Sequence, residues 1–302
     1  MKKSLPLLSL LSLGLIFGGP VDSINKEALA ASHGKNVNWN LSTWGKRRAF
    51  TEGIEAVSKY VADKSGGHFT IKINYGGTLS KPRENLDGIS LGAFEAATFC
   101  ASYHADKNKA VTVLELPFLP ITNGDVQKAA DLAVYSHPAT IKEMKKWNAK
   151  LLMSAALPQY EFMGRGKEPR TIADFKGMRV RALGGIGKAM KVIGAVPTTV
   201  TAPETYRAIE TGTVDAAAFA FYSHFSYKIN EVSKWRTTNL SPGSVNCPLV
   251  VNIDAYNSLS DKNKKILTDA VDAGYAALDK AYSASIDKYT PVAEKQGIKK
   301  IT

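Results

Sequence analysis

The residues LTDAVDAGYAALDKAYSASIDKY, numbers 267–289, decide the fold of this chain. Their apolar and aromatic side chains recur at steps of three or four residues, which is the spacing of one helix face. Ser260 can cap the start of this helix, and Pro291 predicts its end. The helix therefore has about 29 residues and a length of roughly 40 Å. One small domain is narrower than that, so the pattern predicts a helix that runs along two lobes.

Strand and helix patterns alternate along the rest of the chain. Residues 69–73 alternate apolar and polar side chains as a half-buried strand does, whereas 46–63 place apolar residues at helical spacing. The predicted strands are 37–41, 69–73, 94–99, 150–157, 178–182, 197–200, 214–218 and 248–253. The main predicted helices between them are 46–63, 126–147 with an interruption at Pro138, 185–193 and 203–211. This order indicates an α/β protein.

The N-terminus has the pattern of a secretory signal peptide, which we assign to residues 1–30. Lys2 and Lys3 precede a mostly apolar run at 5–17, and small residues follow up to Ala30. The apolar run is too short to span a bilayer, and no run of 18 apolar residues follows it. We therefore predict cleavage near Ala30 and export to the periplasm, rather than a retained membrane anchor. The length of 302 residues leaves room for two lobes of ordinary size.

The formal net charge of +12 favours anionic partners. Nucleic acid is one such partner, but the densest basic clusters, 46–48 and 262–265, fit solvated helix faces, and export limits access to nucleic acid. We predict no nucleic-acid partner. The alternative function is a secreted enzyme acting on an anionic small molecule. The sequence lacks the G-x-S-x-G, H-E-x-x-H and P-loop motifs and paired Cys/His spacings, so we predict no catalytic residues, no metal and no cofactor.

Several short motifs together resemble one known family. The runs are TIADFKGMRVR at 171–181, GAVP at 194–197, ETYRAIETGTVD at 204–215, GGTL at 76–79 and ELPF at 115–118. Each motif alone is weak, but their order and spacing resemble those of DctP-type substrate-binding proteins. These proteins serve tripartite ATP-independent periplasmic (TRAP) transporters. The resemblance covers nearly all of the chain after residue 30.

The resemblance implies a two-lobe periplasmic binding protein-like fold of type II, with a long helix spanning both lobes. It implies lobe I at 36–158 plus 245–283 and lobe II at 159–244 plus 284–302. It also implies a small organic anion in the inter-lobe cleft, and delivery of this ligand to the small and large membrane subunits of a TRAP transporter. Family members commonly continue for some tens of residues beyond the position of Thr302, so the chain is expected to be a short member or a fragment.

Arg181 is the central candidate for ligand binding. It occupies the position of the signature arginine that pairs with the ligand carboxylate in the family. A guanidinium group presents a planar fork of donors that matches a carboxylate, and it stays charged at any relevant pH. The alternative is a surface arginine on a strand, which we assign to Arg179, and the strand pattern alone does not choose between the two.

Two departures from the family pattern shape the predicted pocket. Glu161 stands where members often have a second arginine, and Phe219 stands where many have an asparagine that contacts the ligand. We expect one anion anchor, one nearby carboxylate and aromatic walls. Packing in the core is the alternative for Phe219 and Phe221. The other wall candidates are Trp44, Tyr160, Phe221 and Tyr222. The predicted ligand is a carboxylate or sulfonate with one anionic group, zwitterionic and aromatic acids included.

Lobe I candidates follow the predicted strand 94–99. Open α/β sheets bind ligands beyond the carboxyl ends of their strands, which places Cys100, Ser102, Tyr103 and His104 near the cleft. Serine, tyrosine and histidine can donate hydrogen bonds to a polar ligand group. The alternative for His104 is a solvated loop residue. Cys100 can be a small buried apolar residue or pair with Cys247 in an oxidising compartment, and the sequence leaves both open.

Overall fold

The computed structural model describes residues 36–121 and 123–302. The predicted signal peptide lies outside the described residues. Within this described part, no helix combines the length and the apolar character needed to cross a bilayer. The described residues form two mixed β-sheets with helices packed against them, which is the predicted α/β architecture.

The described residues contain eleven strands and nine α-helices. The strands are β1 Val37–Ser42, β2 Phe69–Asn74, β3 Ala96–Thr98, β4 Ala149–Ser154, β5 Tyr160–Gly164, β6 Arg179–Arg181, β7 Val196–Thr198, β8 Ala216–Ala220, β9 Trp235–Thr237, β10 Pro248–Asn252 and β11 Lys299–Ile301. The helices are α1 Glu52–Ser65, α2 Asn85–Ser90, α3 Gly124–Ser136, α4 Pro138–Lys145, α5 Gly184–Val192, α6 Thr205–Glu210, α7 Phe221–Ser226, α8 Ile253–Asn257 and α9 Asp261–Lys295.

The first sheet has the strand order β2-β1-β3-β10-β4. β1 pairs in parallel with β2 and β3, whereas β10 runs antiparallel to both β3 and β4. In β1 the side chains of Trp39 and Leu41 are buried while Asn38 and Asn40 are exposed, because successive residues of a strand point to opposite faces. The carboxyl ends of β1 and β3 lie next to each other and lead into the loops 43–48 and 99–104.

The second sheet has the strand order β11-β9-β5-β8-β6-β7. Its central strand β8 has the sequence AAAFA and is buried over its whole length. Such a strand, which is covered on both faces, shows no alternation of polar and apolar residues. β6 runs parallel to β8, so that Arg181 at the end of β6 pairs with Ala217 in the interior of the sheet.

Two crossing segments join the sheets. The chain leaves the first sheet after Ser154 and enters the second at Tyr160, and it returns between Thr237 and Pro248. The two segments touch, since the Ala155 amide donates to the Cys247 carbonyl at 2.9 Å. Helix α9 makes a third connection, since the chain runs from β10 of the first sheet through this helix to β11 of the second, and the chain thus builds two lobes. The exact lobe boundaries stay a prediction.

Helix α9 extends along both lobes. It has 35 residues, so its length is about 52 Å. The Ser260 side chain accepts a hydrogen bond from the Asn263 amide, as expected of an N-cap. In its second half the Tyr282 hydroxyl donates to the Ala155 carbonyl at 2.5 Å, and the ring of Tyr289 stacks on Phe225 of the second lobe at 4.6 Å.

Three sequence-based expectations about elements are wrong. The long helix does not end at Pro291 but continues to Lys295, because a proline removes only one ladder hydrogen bond and Ala293 beyond it is buried. Strands β5, β9 and β11 had no strand prediction, since they are short and carry charged residues. The helix predicted from residue 46 starts at Glu52, after a 3-10 turn at Ala49–Thr51.

Candidate functional site

A small cavity lies between the two lobes, at the carboxyl ends of strands from both sheets. Its volume is about 20 Å³, close to that of one water-sized sphere. A molecule of several heavy atoms is larger than this, so it would fit here only after the lobes separate or side chains repack. The cavity is lined by Trp44, Arg48, Phe50, Cys100, Tyr103, Leu157, Tyr160, Arg181, Leu183, Ala202, Phe219, Tyr222, Ser223, Tyr227, Val245 and Cys247.

Arg181 is the most deeply buried charged group of this cavity. Its side chain is 1% exposed. Nε donates to the Val200 carbonyl at 3.0 Å, and Nη1 donates to the Ala218 carbonyl at 2.8 Å. Nη2 donates to the Tyr103 hydroxyl at 3.3 Å. All of these acceptors are neutral, and none of the ion pairs among the described residues includes Arg181, so its buried charge lacks a counter-anion within the described chain.

Arg179 has the opposite environment, although it lies only two residues earlier on the same strand. Its guanidinium is about half exposed and pairs with Asp215 at 2.6 Å. This pairing with the carboxylate raises the pKa of Arg179 and lowers that of Asp215. Of the two arginines in β6, only Arg181 therefore has no acidic partner among the described residues.

Tyr103 connects the two lobes at the cavity. It comes from the loop after β3, and its hydroxyl oxygen accepts hydrogen bonds from Arg181 and, at 2.8 Å, from the Ala202 amide of the second lobe. Both contacts use the lone pairs of the oxygen, so the hydroxyl proton can still be donated to a ligand oxygen. The ring of Tyr103 packs edge-on against Trp44 at 5.9 Å.

Aromatic rings form a large part of the remaining cavity wall. The Arg181 guanidinium lies 4.0 Å from the ring centre of Phe219, which is a cation–π contact. Phe219 also packs against Tyr160 at 6.2 Å and stacks on Tyr227 at 5.8 Å. Burial raises the pKa of the hydroxyl groups of Tyr160, Tyr222 and Tyr227, so these phenols stay neutral and keep a proton that is available for a hydrogen bond.

Four candidate residues lie away from this cavity. The Glu161 carboxylate accepts hydrogen bonds from Thr237, Leu240 and Ser241 and thereby holds the loop at 240–241. Strand alternation explains this, because Tyr160 faces the cavity and its neighbour must face the other side of β5. Phe221 packs against Phe225, with the Arg236 guanidinium over its ring, and lines a separate cavity of about 480 Å³.

Ser102 and His104 are the other two candidate residues that lie away from the cavity, and both are buried. Ser102 donates to Glu115 through its amide and its hydroxyl. His104 is 1% exposed and contacts the Pro82 carbonyl at 3.3 Å, so the solvated-loop interpretation is wrong. Burial, together with the nearby Lys107, lowers the pKa of His104 to about 4, which keeps the ring neutral at pH 7.

Cys100 and Cys247 form a disulfide that lines the cavity. The two residues lie opposite each other where the chain continues the β3–β10 ladder, since Phe99 bonds to Pro248 and Ala101 bonds to Asn246 on either side of them. The bond closes a loop with a sequence separation of 147 residues. It ties the returning crossing segment to the first sheet.

The sequence interpretation missed Arg48, Tyr227 and Val245 at the cavity. Arg48 belongs to the basic cluster 46–48, which we interpreted as a solvated helix face. Arg47 fits that interpretation, because it is exposed and pairs with Glu52 at 2.9 Å, but Arg48 is partly buried and lines the cavity. Nothing in the local pattern separates two adjacent arginines in a loop without regular periodicity.

Two buried carboxyl groups flank the returning crossing segment. Asn246 donates its amide to Glu115 at 3.0 Å and its side chain to Asp131 at 2.8 Å. Desolvation raises the pKa of each carboxyl group to about 7. Glu115 approaches the start of α5, where an added Cβ at Gly184 would lie 2.1 Å from its Oε2. The crossing between the lobes is thus bordered by groups that titrate near neutral pH.

Comparison with known proteins identifies the family. The model for the bacterial extracellular solute-binding protein, family 7 (DctP), matches residues 42–302. The chain belongs to this family. The resemblance inferred from the motifs is therefore confirmed, and so is the assignment of the protein as a solute-binding protein. Proteins of the DctP family are periplasmic, in agreement with the predicted export.

Relatives and solved structures of the DctP class agree with this assignment. The chain is 26% identical over 251 residues to a monocarboxylate 2-oxoacid-binding periplasmic protein of Nostoc sp., covering 81% of this chain and 68% of the relative. A TRAP periplasmic solute-binding protein from Polaromonas sp. JS666, bound to D-erythronate, matches with a TM-score of 0.79 at 17% identity, over 88% of each chain. A marine metagenome TRAP protein specific for aromatic acids matches with a TM-score of 0.77 at 21% identity, covering 88% of this chain and 86% of that one. The two-lobe fold is thereby confirmed.

Proposed function

We propose that this DctP-family protein captures a small organic acid at Arg181 and delivers it to the membrane subunits of a TRAP transporter. The observation that carries the proposal is the environment of Arg181, a buried guanidinium whose described partners are all neutral. A buried charge of this kind is stabilised when an anion binds to it. A carboxylate also accepts two parallel hydrogen bonds from a guanidinium fork.

The proposed mechanism is closure of the two lobes around the ligand. In the open form Arg181 and Tyr103 separate and become accessible, and in the closed form they meet over the bound acid. The ligand favours closure only to the extent that it binds the closed form more tightly than the open form. After signal-peptide cleavage the protein works in the periplasm, and the closed form docks on the membrane subunits.

The proposed ligands are acids rather than amine-bearing compounds. The zwitterionic version of the ligand prediction depends on Glu161 as a partner for an amine, but that carboxylate is already bonded to the loop 240–241. The cavity offers a guanidinium, phenol hydroxyls and aromatic faces, which suit an anion with an apolar or hydroxylated body. These groups bind and orient a ligand, so we propose a receptor and not an enzyme.

The first experiment identifies the ligand. The purified protein is screened by thermal shift against carboxylates, sulfonates and zwitterions, because a ligand that binds the native state raises the melting temperature. Acids that raise it are then titrated calorimetrically. We expect carboxylates among the stabilising compounds, and a screen in which only amines or sugars stabilise the protein contradicts the proposal.

The second experiment tests Arg181 with the best acid. Loss of a buried charged partner costs about 2–5 kcal/mol of binding free energy, so Arg181→Met should weaken binding at least about 30-fold. Arg179→Met is the matched control and should change affinity less than twofold, because Arg179 is exposed and paired with Asp215. Arg181→Lys, which keeps the charge but loses the fork, should give an intermediate affinity. Unchanged affinity in Arg181→Met, with normal urea unfolding, refutes the proposal.

A further inference from the structure

A second guanidinium group faces the same cavity from the first lobe. Arg48 lies in the loop after β1, and it lines the cavity together with Arg181. Its Nη1 donates to the carbonyl oxygens of Trp44 at 2.9 Å and Lys46 at 2.8 Å. These two hydrogen bonds fix the guanidinium in place without neutralising it.

The loop that carries Arg48 is shaped to hold it there. Gly45 has a φ of +70°, and a Cβ at this position would lie 3.0 Å from Arg48 Nη1 and 3.2 Å from the Tyr227 hydroxyl. A glycine therefore allows the backbone to turn close to the guanidinium. Nε of Arg48 is buried and makes no hydrogen bond to a described residue. The side chain is thus held in position through Nη1, while the buried Nε donor is unused.

Aromatic rings connect the two arginines. Arg181 lies over the ring of Phe219 at 4.0 Å, Phe219 stacks on Tyr227 at 5.8 Å with an interplanar angle of 20°, and Arg48 lies over Tyr227 at 5.3 Å. The two rings come from the second lobe, and each of them carries one of the two cations. A ligand lying along the stacked rings would meet a positive charge at each ring.

We infer that Arg48 is a second, specificity-determining anion-binding group of this receptor, placed opposite Arg181. The ligand is then a small acid whose far end carries a further oxygen acceptor, either a second carboxylate or a hydroxyl or keto oxygen. This inference depends on the proposed function, and it replaces the sequence-based expectation of a single anion anchor. Closure brings Arg48 of the first lobe and Arg181 of the second lobe onto one ligand.

The test compares two classes of acid. The one-ended acids, butyrate and pentanoate, have a methyl group at the far end. The two-ended acids, 4-hydroxybutyrate, succinate and glutarate, have an oxygen acceptor there. Calorimetric titrations use butyrate, 4-hydroxybutyrate and succinate, and also pentanoate and glutarate, with the wild type, Arg48→Met and Arg47→Met. We expect the wild type to bind the two-ended acids at least tenfold more tightly than the one-ended acids. Arg48→Met should weaken the two-ended acids at least tenfold more than it weakens butyrate and pentanoate, and so remove that preference. Arg47→Met removes a guanidinium group that is exposed and already paired with Glu52, so this variant should keep the preference.

The outcomes separate this inference from the proposed function. A preference limited to succinate and glutarate indicates a second carboxylate, whereas one that includes 4-hydroxybutyrate indicates a neutral oxygen. The inference is overturned if Arg48→Met weakens all five acids equally, which is a structural effect, or if it leaves the preference intact. In both of these cases loss of binding in Arg181→Met would still support the proposed function. If Arg181→Met binds all acids like the wild type, the proposed function itself fails.

Discussion

Replacing Glu115 by glutamine should change the pH dependence of stability in a way that the structure specifies. The carboxyl group is 1% exposed, and its Oε1 accepts hydrogen bonds from Asn246 at 3.0 Å and from the amide and hydroxyl of Ser102 at 3.3 and 3.2 Å. Its Oε2 has no hydrogen-bond partner among the described residues. Desolvation therefore raises the pKa to about 7, and these hydrogen bonds and the charge of Lys188 lower it only in part.

The sign and size of the effect follow from linkage. The ordinary pKa is 4.5 and the folded-state pKa is about 7, so between these values the folded state binds more protons than the unfolded state. The free energy of unfolding contributed by this group therefore falls as pH rises through this range, by about 3 kcal/mol in total. Glutamine does not titrate. Between pH 4 and pH 8, the free energy of unfolding of Glu115→Gln should thus rise by about 3 kcal/mol relative to that of the wild type.

Urea unfolding of both proteins at pH 4, 5, 6, 7 and 8 measures this difference. Burial lowers the pKa values of His104 and His224 to about 4 and about 3, so their protonation destabilises the folded protein on acidification. This effect is the same in both proteins and cancels in the difference. Asp131→Asn should show the same sign, because burial raises that pKa to about 7 as well. A difference between Glu115→Gln and the wild type that stays constant from pH 4 to pH 8 would refute the reasoning.

Two further predictions concern closure and the disulfide. Gly185→Ala places a Cβ 1.9 Å from the Glu115 carbonyl oxygen, across the lobe contact, so ligand affinity should fall at least tenfold by calorimetry. Gly187→Ala is the control, because its added Cβ contacts the backbone of its own lobe. An equal loss of ligand affinity in this variant would contradict an effect on closure. Replacing Cys100 and Cys247 by serine should lower the free energy of unfolding by about 2–5 kcal/mol in non-reducing urea titrations, and unchanged stability would contradict this.

The fold could be predicted because its signals are long and periodic. The helix α9 repeats its apolar face over many turns, and β2 alternates cleanly over six residues. Short strands give no such signal. β9 and β11 have three residues each, and their place in the sheet depends on partners that are distant in sequence. Pro291 shows the same limit, since tertiary packing of Ala293 keeps the helix going.

The site could be predicted only as far as one motif or one strand fixes a side chain. Arg181 follows from the family signature, and its separation from Arg179 comes from burial that the strand pattern does not reveal. Glu161 was expected at the cavity because it stands at a family position, but its neighbour Tyr160 takes the inward face of β5. Arg48 depends on a loop turn at Gly45, and its inward direction is set by contacts with rings from the other lobe.

The disulfide between Cys100 and Cys247 also limits where the two lobes can rotate relative to each other. It pins the returning chain to the first sheet, so the backbone changes of the proposed opening would fall on the short stretches 155–159 and 238–246 and on helix α9. In these stretches Ala156 and Ser241 have φ values of +44° and +36°, a left-handed backbone that such residues seldom adopt. In the proposed closure mechanism, part of the binding free energy of the ligand would be needed to restore these torsions each time the lobes close.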